Sequence, residues 1–291
     1  MKKYLFLAAA LTVMGCGMTS CSDDVEDVIE QNEQAPKLTK LVFTVAQDAE
    51  TRASWGGTNG RTPMFDAGDK VSLFSENNDN VELTVKVDGG IVTLEGEGTA
   101  DTELYFVYPY NDDVHMDMGT KKITSATASA YNIDKVSFYY ACSTIGENKY
   151  PENALSFAKS TDGGSSALSF KGLMAIIKYT TLTDHDNHFE ITNYGNSGKP
   201  FKGGQLTINA SGATPTIESS TTDVGICFPG YSVRTFTFSA GKTYYMALPP
   251  TGAINGSASY HKIQVGGSQV QALSDGFSFE AGKIYTVNRD R

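Results

Sequence analysis

The sequence feature that most constrains the fold is a succession of short apolar segments with a period of two residues. After Arg52 the chain consists almost entirely of such segments, separated by Gly, Asn, Asp, Ser and Pro. Because successive side chains of a strand point to opposite faces of a sheet, these segments predict strands with one buried face. No long segment has the 3.6-residue period of an amphipathic helix. Spacing and turn chemistry therefore predict an all-β chain built from β-sandwiches.

The predicted strands are short and follow one another closely. An Asp-Gly-Gly turn at residues 88–90 favours a hairpin, because glycine tolerates a positive φ. The strands cover residues 70–75, 81–87, 91–95, 103–108, 136–141, 167–170, 174–180, 188–192, 204–208, 234–239, 243–248, 260–265, 269–272 and 283–288.

An additional strand is predicted before these, within residues 38–46. Leu41, Phe43 and Val45 share one face of it, which we expect to be buried. A polar connection follows, with Arg52 as the target of a trypsin-like protease that would cut between Arg52 and Ala53. If the segment then leaves, a row of unpaired N–H and C=O groups beside an apolar trough becomes an acceptor for another strand. The alternative is a permanent first strand followed by an ordinary loop arginine.

The N-terminus predicts export and lipidation. Residues 1–20 have the basic start, the short apolar run and the small residues of a signal peptide. Cys21 is the favoured lipidation site and Cys16 the alternative, with a plain signal peptide as the remaining possibility. Residues 21–37 then form an acidic tether with little to bury. Acyl chains such as palmitate on the cysteine would hold the precursor at the outer membrane.

Charge and cysteine content exclude several classes of partner. The formal net charge of -10 and the pI near 4.9 argue against binding to nucleic acid or to an anionic membrane surface. Cys142 and Cys227 lie far apart in the sequence, so we interpret both as small buried thiols rather than as a disulfide or a metal pair.

A polar stretch rich in Gly and Ser at residues 159–166 favours a domain boundary. The predicted N-terminal domain covers residues 38–162 and the C-terminal domain residues 163–291. The most apolar run of the mature chain, residues 168–179, is predicted to be the first, central strand of the second domain.

One motif recurs in the second half. Residues 236–246 and residues 277–287 both place Ala-Gly-Lys between an aromatic segment and a strand, and residues 65–71 carry a looser version. The glycine suits the turn, so the motif is interpreted as one corner used in two similar sheets.

Motifs for catalysis and ligand binding are weak throughout, and we expect no enzyme activity, cofactor or metal site. His185 and His188 lie among acidic residues, but no recognisable third ligand accompanies them, so a solvated loop is favoured. Residues 195–200 have the wrong spacing for a phosphate loop. Tyrosines on several strands suggest a glycan platform, although such residues more often belong to a core. They are Tyr105, Tyr108, Tyr110, Tyr139, Tyr140, Tyr244 and Tyr245.

An ordered set of short motifs resembles the fimbrillin-like, or type V, pilin family of Bacteroidales. The set extends over nearly the whole chain. It comprises Cys21-Ser22-Asp23-Asp24, residues 50–55 (ETRASW), 65–74 (FDAGDKVSLF), 107–110 (VYPY), 170–179 and 279–287 (FEAGKIYTV).

This resemblance implies two transthyretin-like β-sandwich domains in tandem and a lipidated precursor at the cell surface. It also implies that an Arg-specific protease cuts after Arg52 and that the strand with Leu41, Phe43 and Val45 departs. Residues 283–288, with Ile284, Tyr285 and Val287, become a candidate donor strand for another pilin subunit. Such strand addition uses main-chain hydrogen bonds and alternate side-chain pockets, and head-to-tail repetition builds a filament.

Overall fold

A computed structural model describes residues 37–46, 65–125, 132–136, 139–141, 145–147, 154–181, 185–186, 189–193, 201–223, 225–228, 237–252, 261–265, 268–274 and 276–288. Across these ranges the chain is all-β, as the sequence predicts, and has no helix. None of the described segments could therefore span a membrane as a helix.

The strands are short and numerous. They are β1 (Thr39–Val45), β2 (Lys70–Ser75), β3 (Asn78–Asp88), β4 (Ile91–Gly98), β5 (Leu104–Tyr108), β6 (Val114–Asp117), β7 (Lys122–Ser125), β8 (Asn132–Val136), β9 (Tyr139–Ala141), β10 (Ile145–Glu147), β11 (Ser156–Ser160), β12 (Lys171–Gly172), β13 (Ala175–Thr180), β14 (His185–Asp186), β15 (Phe189–Asn193), β16 (Phe201–Asn209), β17 (Thr216–Asp223), β18 (Gly225–Phe228), β19 (Thr237–Phe238), β20 (Thr243–Leu248), β21 (His261–Val265), β22 (Ser268–Ala272) and β23 (Ile284–Asn288).

The described strands form three larger sheets and one isolated pair. A seven-stranded sheet has the order β1-β4-β3-β2-β5-β11-β12, and a four-stranded sheet has the order β10-β20-β13-β23. A ten-stranded sheet runs β22-β21-β15-β18-β9-β8-β16-β7-β6, with β17 added beside β16, and β14 pairs with β19. The predicted division at residues 162 and 163 stays a prediction. Strand pairing crosses it, since β7 and β8 both pair with β16.

Three inner strands of the seven-stranded sheet, β2, β5 and β11, are buried on both faces. Phe106 of β5 belongs to one hydrophobic core, here called the first core, whereas Tyr105 and Val107 belong to a larger second core. The first core consists of Leu41, Phe43, Val45, Phe65, Val71, Leu73, Leu83, Val85, Leu94, Leu104, Phe106, Ala158, Leu168 and Phe170. Strand β5 therefore separates two cores, which explains why its sequence is a continuous apolar run rather than an alternating one.

The seven-stranded sheet curls so that one face encloses the first core. In the strand order β1 and β5 are four positions apart, which would be about 19 Å in a flat sheet. The rings of Phe43 on β1 and Phe106 on β5 nevertheless meet with centroids 5.0 Å apart. The first strand thus closes the core from the far side of the same sheet.

The repeated corner is present, but in one sheet rather than the predicted two. Gly241 and Gly282 have φ values of +74° and +72°, the conformation that glycine allows most readily. Their amides donate to the carbonyls of Thr181 and Met174, which flank the two ends of β13. The corners therefore lead into β20 and β23 on either side of β13. The earlier version at Gly68, with φ +96°, precedes β2.

A tyrosine closes each of the two later corners. The Tyr244 hydroxyl accepts a hydrogen bond from the Ser239 amide at 2.7 Å, and the Tyr285 hydroxyl accepts one from the Glu280 amide at 2.8 Å. The tyrosine thus ties the turn to the strand that follows it, which gives a physical reason for its presence in both copies of the motif.

The apolar run at residues 168–179 is not one strand, contrary to the prediction. Leu168 makes an isolated bridge to Val45, and β12 pairs with β11 at the edge of the seven-stranded sheet. Only β13 is an inner strand, between β20 and β23. The run is apolar because it contributes to both cores in succession, with Phe170 in the first and Leu173 in the second.

Replacing either corner tyrosine by Phe should lower the free energy of unfolding by about 1 kcal/mol, because each change removes one acceptor from a turn amide. Chemical denaturation of Tyr244→Phe, Tyr285→Phe and the double variant measures this. We expect the double variant to lose roughly the sum. Unfolding midpoints equal to that of the original chain would contradict the role assigned to the hydroxyls.

Candidate functional site

The candidate site is the place that β1 occupies in the seven-stranded sheet. Among the described strands, β1 pairs only with β4, in an antiparallel ladder that runs from Thr39 opposite Gly98 to Val45 opposite Val92. Along β1 every second side chain is buried, which confirms the predicted face. Phe43 is 3% exposed, whereas its neighbour Val42 on the outer face is 50% exposed.

Phe43 is the central contact of β1 with the first core. Its ring meets Phe106 edge to face, at an interplanar angle of 75°. Phe106 in turn contacts Phe170, and Phe170 contacts Phe65, with ring centroids 6.4 Å and 5.0 Å apart. These aromatic contacts come from four separate parts of the chain, so β1 is one wall of the core rather than a strand lying outside it.

The second edge of β1 is held at one end only. The Leu168 amide donates to the Thr44 carbonyl and the Ala46 amide donates to the Leu168 carbonyl, both at 2.8 Å. Because peptide groups alternate between the two edges of a strand, those of Lys40 and Val42 point away from β4. No backbone hydrogen bond from the described residues reaches them on that side. For most of its length β1 is therefore an edge strand.

Leu168 is positioned by a compact loop, residues 161–167, that begins where β11 ends. The Asp162 carboxylate accepts hydrogen bonds from the Ser160 hydroxyl at 2.6 Å and from the amides of Gly164 and Ser166 at 3.1 and 3.0 Å. These bonds, that from Ser160 first, lower the pKa of Asp162 to about 2. The Gly163 amide also donates to the Thr102 carbonyl at 2.9 Å, which attaches the loop to the start of β5.

The loop leaves room for the Phe43 ring only because residue 164 is glycine. A Cβ placed on Gly164 would lie 2.3 Å from Cδ1 and 2.5 Å from Cε1 of Phe43. The φ of Gly164, +79°, also disfavours any other residue. The Gly-Ser stretch in which composition favours a domain boundary thus contains a hydrogen-bonded loop that lies against β1. The sequence Asp162-Gly163-Gly164 in this loop is the signal that sequence reasoning missed, because an Asp side chain often caps such a turn.

The other predicted site residues lie elsewhere. Arg52, Ala53, Cys16 and Cys21 are outside the described residues. The candidate donor residues Ile284, Tyr285 and Val287 lie in β23, which pairs in parallel with β13 of the same chain, and Val287 is 1% exposed. The structure therefore does not bring the candidate donor strand and β1 into one sheet.

Two of the tyrosines considered for a glycan platform are core residues. Tyr105 and Tyr244 are fully buried, so neither ring faces solvent. In the described part of the chain, no three His, Cys, Asp or Glu side chains are grouped so that they could hold a metal ion. His188 lies outside that part, and of His185 only the backbone, in β14, is described.

Comparison with known proteins gives structural likenesses of low identity. A scan of protein-family models finds no match, and no curated protein matches the sequence. A "putative cell adhesion protein" from Bacteroides uniformis has a TM-score of 0.44 and 14% identity, over 86% of this chain and 92% of that one. One from Bacteroides thetaiotaomicron has a TM-score of 0.41 and 15% identity, over 85% and 91%. One from Bacteroides ovatus has a TM-score of 0.40 and 14% identity, over 78% and 84%.

Phe43→Ala should lower the free energy of unfolding by about 3–5 kcal/mol, because it leaves a ring-sized cavity in the first core. The matched control is Val42→Ala on the outer face of the same strand, which should change it by no more than about 0.5 kcal/mol. Urea denaturation of the two variants gives both values. Equal effects would contradict the assignment of the buried face.

Acidification should weaken the 161–167 loop. The pKa of Asp162 is lowered to about 2 from 3.8, so its ionised form stabilises the fold above about pH 3.8. This contribution is lost as the pH falls through about 2. Asp162→Asn should therefore be less stable than the original chain at about pH 5, and the difference should shrink towards pH 2. Urea midpoints at both pH values measure it; a difference independent of pH would contradict the role of the carboxylate.

Proposed function

We propose that the chain is a cell-surface protein of the adhesion type, and more specifically the structural subunit of a pilus at the outer membrane. It is exported as a lipoprotein precursor with Cys21 lipidated, or alternatively Cys16. Proteolytic removal of β1 at Arg52 then allows polymerisation by strand exchange. The function needs no catalytic residue, cofactor or metal.

The observation that carries the proposal is the way β1 is held. It has one complete ladder, to β4, and its other edge is bonded to Leu168 alone among the described residues. It also contributes three side chains to the first core and none to the second. A strand of this kind can leave without breaking any other strand pairing, and its place then offers the N–H and C=O groups of β4 to a new partner.

Energetics favour replacement of β1 over simple loss. Burial of Leu41, Phe43 and Val45, at about 1.5–3 kcal/mol each, amounts to roughly 5–9 kcal/mol. The whole stability of a domain is only about 5–15 kcal/mol. A subunit without β1 is therefore marginal until another strand fills the position, and that dependence couples cleavage to assembly.

The donor in this proposal is a strand of another pilin subunit, and residues 283–288 are the candidate segment. Ile284, Tyr285 and Val287 would have to leave the edge of their own four-stranded sheet. Such an exchange is feasible for an edge strand, since β23 pairs with β13 on one side and ends the sheet. Repeated head-to-tail, the exchange extends a filament rather than closing a ring.

The test is limited cleavage of the purified full-length chain by an Arg-specific protease. One dominant cut between Arg52 and Ala53 should be followed by oligomers of increasing mass, measured by size-exclusion chromatography with light scattering. Arg52→Ala is the matched control; it should stay uncut and monomeric.

A chain that is cut after Arg52 but remains a monomer would contradict the pilin function. Binding of the uncut monomer to a glycan array would instead favour the alternative, a glycan-binding or adhesion lipoprotein whose strands are permanent.

A further inference from the structure

The acceptor site has a distinct shape at the positions of two inward side chains of β1, Phe43 and Leu41. The Phe43 position is bounded on one side by Phe106 and on the other by Gly164, where any Cβ would overlap the ring. At the Leu41 position a Cβ on Gly98 would lie 2.9 Å from Cδ1 of Leu41. Gly164 is therefore a recess in the loop that faces β1 and is filled by a ring, whereas Gly98 lies on the paired strand β4, opposite Thr39, and leaves space for a branched aliphatic side chain.

Hydrogen bonds within the 161–167 loop, and from it to Thr102, hold the recess at Gly164. The Gly164 amide donates to the Ser160 hydroxyl at 2.8 Å as well as to the Asp162 carboxylate. The Gly163 amide is bonded to the Thr102 carbonyl at 2.9 Å, next to β5. None of these bonds involves β1, so nothing in them requires the recess to collapse when β1 leaves. A strand with a small residue at this position would leave a void of about the size of a ring.

We infer that Gly164 determines which strand can replace β1; the inference rests on the proposed strand exchange. The occupant is an extended segment of another subunit that lies antiparallel to β4. It carries an aromatic residue opposite Leu94 and an aliphatic residue two positions to either side. This is the pattern of β1, in which Phe43 faces Leu94. Main-chain bonds to β4 hold any such strand, whereas the recess selects the residue at its centre.

The candidate donor of the chain itself fits this pattern in part. Tyr285 and Val287 have the spacing of Phe43 and Val45, but residue 283, at the position of Leu41, is lysine. The Tyr285 hydroxyl would also lose the partner that it has in its own corner, the Glu280 amide. A homopolymer built with this strand should therefore bind less tightly than a donor with Phe at the centre and an aliphatic residue in place of the lysine.

The experiment follows exchange into the full-length chain after cleavage at Arg52. Fluorescent peptides with the sequence of residues 38–46 displace the cut segment, and their binding is measured by anisotropy. The original peptide should bind about 100-fold more tightly than its Phe43→Ala form, and the Phe43→Tyr form should lie between them. A peptide with the sequence of residues 281–288 tests the candidate donor and should bind more weakly than the original.

The variant Gly164→Ala tests the recess itself. It should weaken binding of the original peptide at least 10-fold and leave binding of the Phe43→Ala peptide nearly unchanged. Gly90→Ala is the matched control, because Gly90 has a similar φ of +85° but no atom within 4 Å of the added Cβ. It reproduces the backbone strain without contact with the strand.

Failure of the inference is distinguishable from failure of strand exchange. Equal binding of the Phe and Ala peptides would overturn the inference while exchange still occurs. If no peptide enters because the cut segment stays bound, strand exchange is wrong. The contact between Gly164 and the Phe43 ring is then tested in the uncut chain, from the unfolding midpoints of Gly164→Ala, Phe43→Ala and the double variant. Additive effects in that cycle would overturn the selective contact, whereas a smaller cost of Gly164→Ala in the Phe43→Ala background would support it.

Discussion

The packing of Phe43 against Phe106 is the contact on which the first core depends. A single sheet can enclose a core only if it curls until residues of distant strands meet, and here strands four places apart do so. Without that ring, the face of β2, β3 and β5 that carries Val71, Val85 and Phe106 has no wall on the β1 side. The first strand of the sheet is thus also one wall of the first core.

The two cores meet at β5, and β1 contributes to only one of them. Residues of β1 occur in the first core and are absent from the second, which β5 separates from it. The second core includes β13 and β20 and is tied at both ends of β13 by the glycine corners. Opening the first core therefore leaves the pairing of the four-stranded sheet untouched. Strand β1 thus pairs with no strand of the four-stranded sheet and contributes no side chain to the second core.

Local patterns predicted much of the fold, because they are set by residues close in sequence. The alternation of Leu41, Phe43 and Val45 identified both the strand and its buried face. The strands at residues 70–75 and 243–248 have the predicted bounds, since turn residues delimit them clearly. Strands β6, β7, β10, β11, β12, β14, β17 and β18 were not predicted. Strands β10 and β11 contain few apolar residues and are strands because the distant strands β20 and β5 pair with them, whereas β6 and β7 are too short to show a clear period and pair with each other.

What the sequence could not reveal was which distant segments meet. Gly164 is an ordinary glycine in a polar stretch until the chain curls and brings the Phe43 ring against it. Likewise the apolar run at residues 168–179 suggests one strand, because periodicity cannot tell that its parts serve two cores. Composition likewise gave no sign that residues 161–167 form a loop with internal hydrogen bonds that lies against β1.

The 161–167 loop also explains how the proposed acceptor site at the position of β1 can accept many extended segments and still discriminate among them. Hydrogen bonds along β4 are the same for every sequence, so they favour any extended segment and contribute affinity without discrimination. Selectivity must then come from side-chain volume. The acceptor site can discriminate by volume only where the residues that line it cannot adjust their positions. Gly164 is such a place, since the bonds of Ser160, Asp162 and Thr102 fix the loop from the side away from β1. Under the proposed strand exchange, the recess at Gly164 therefore selects the strand that fits best.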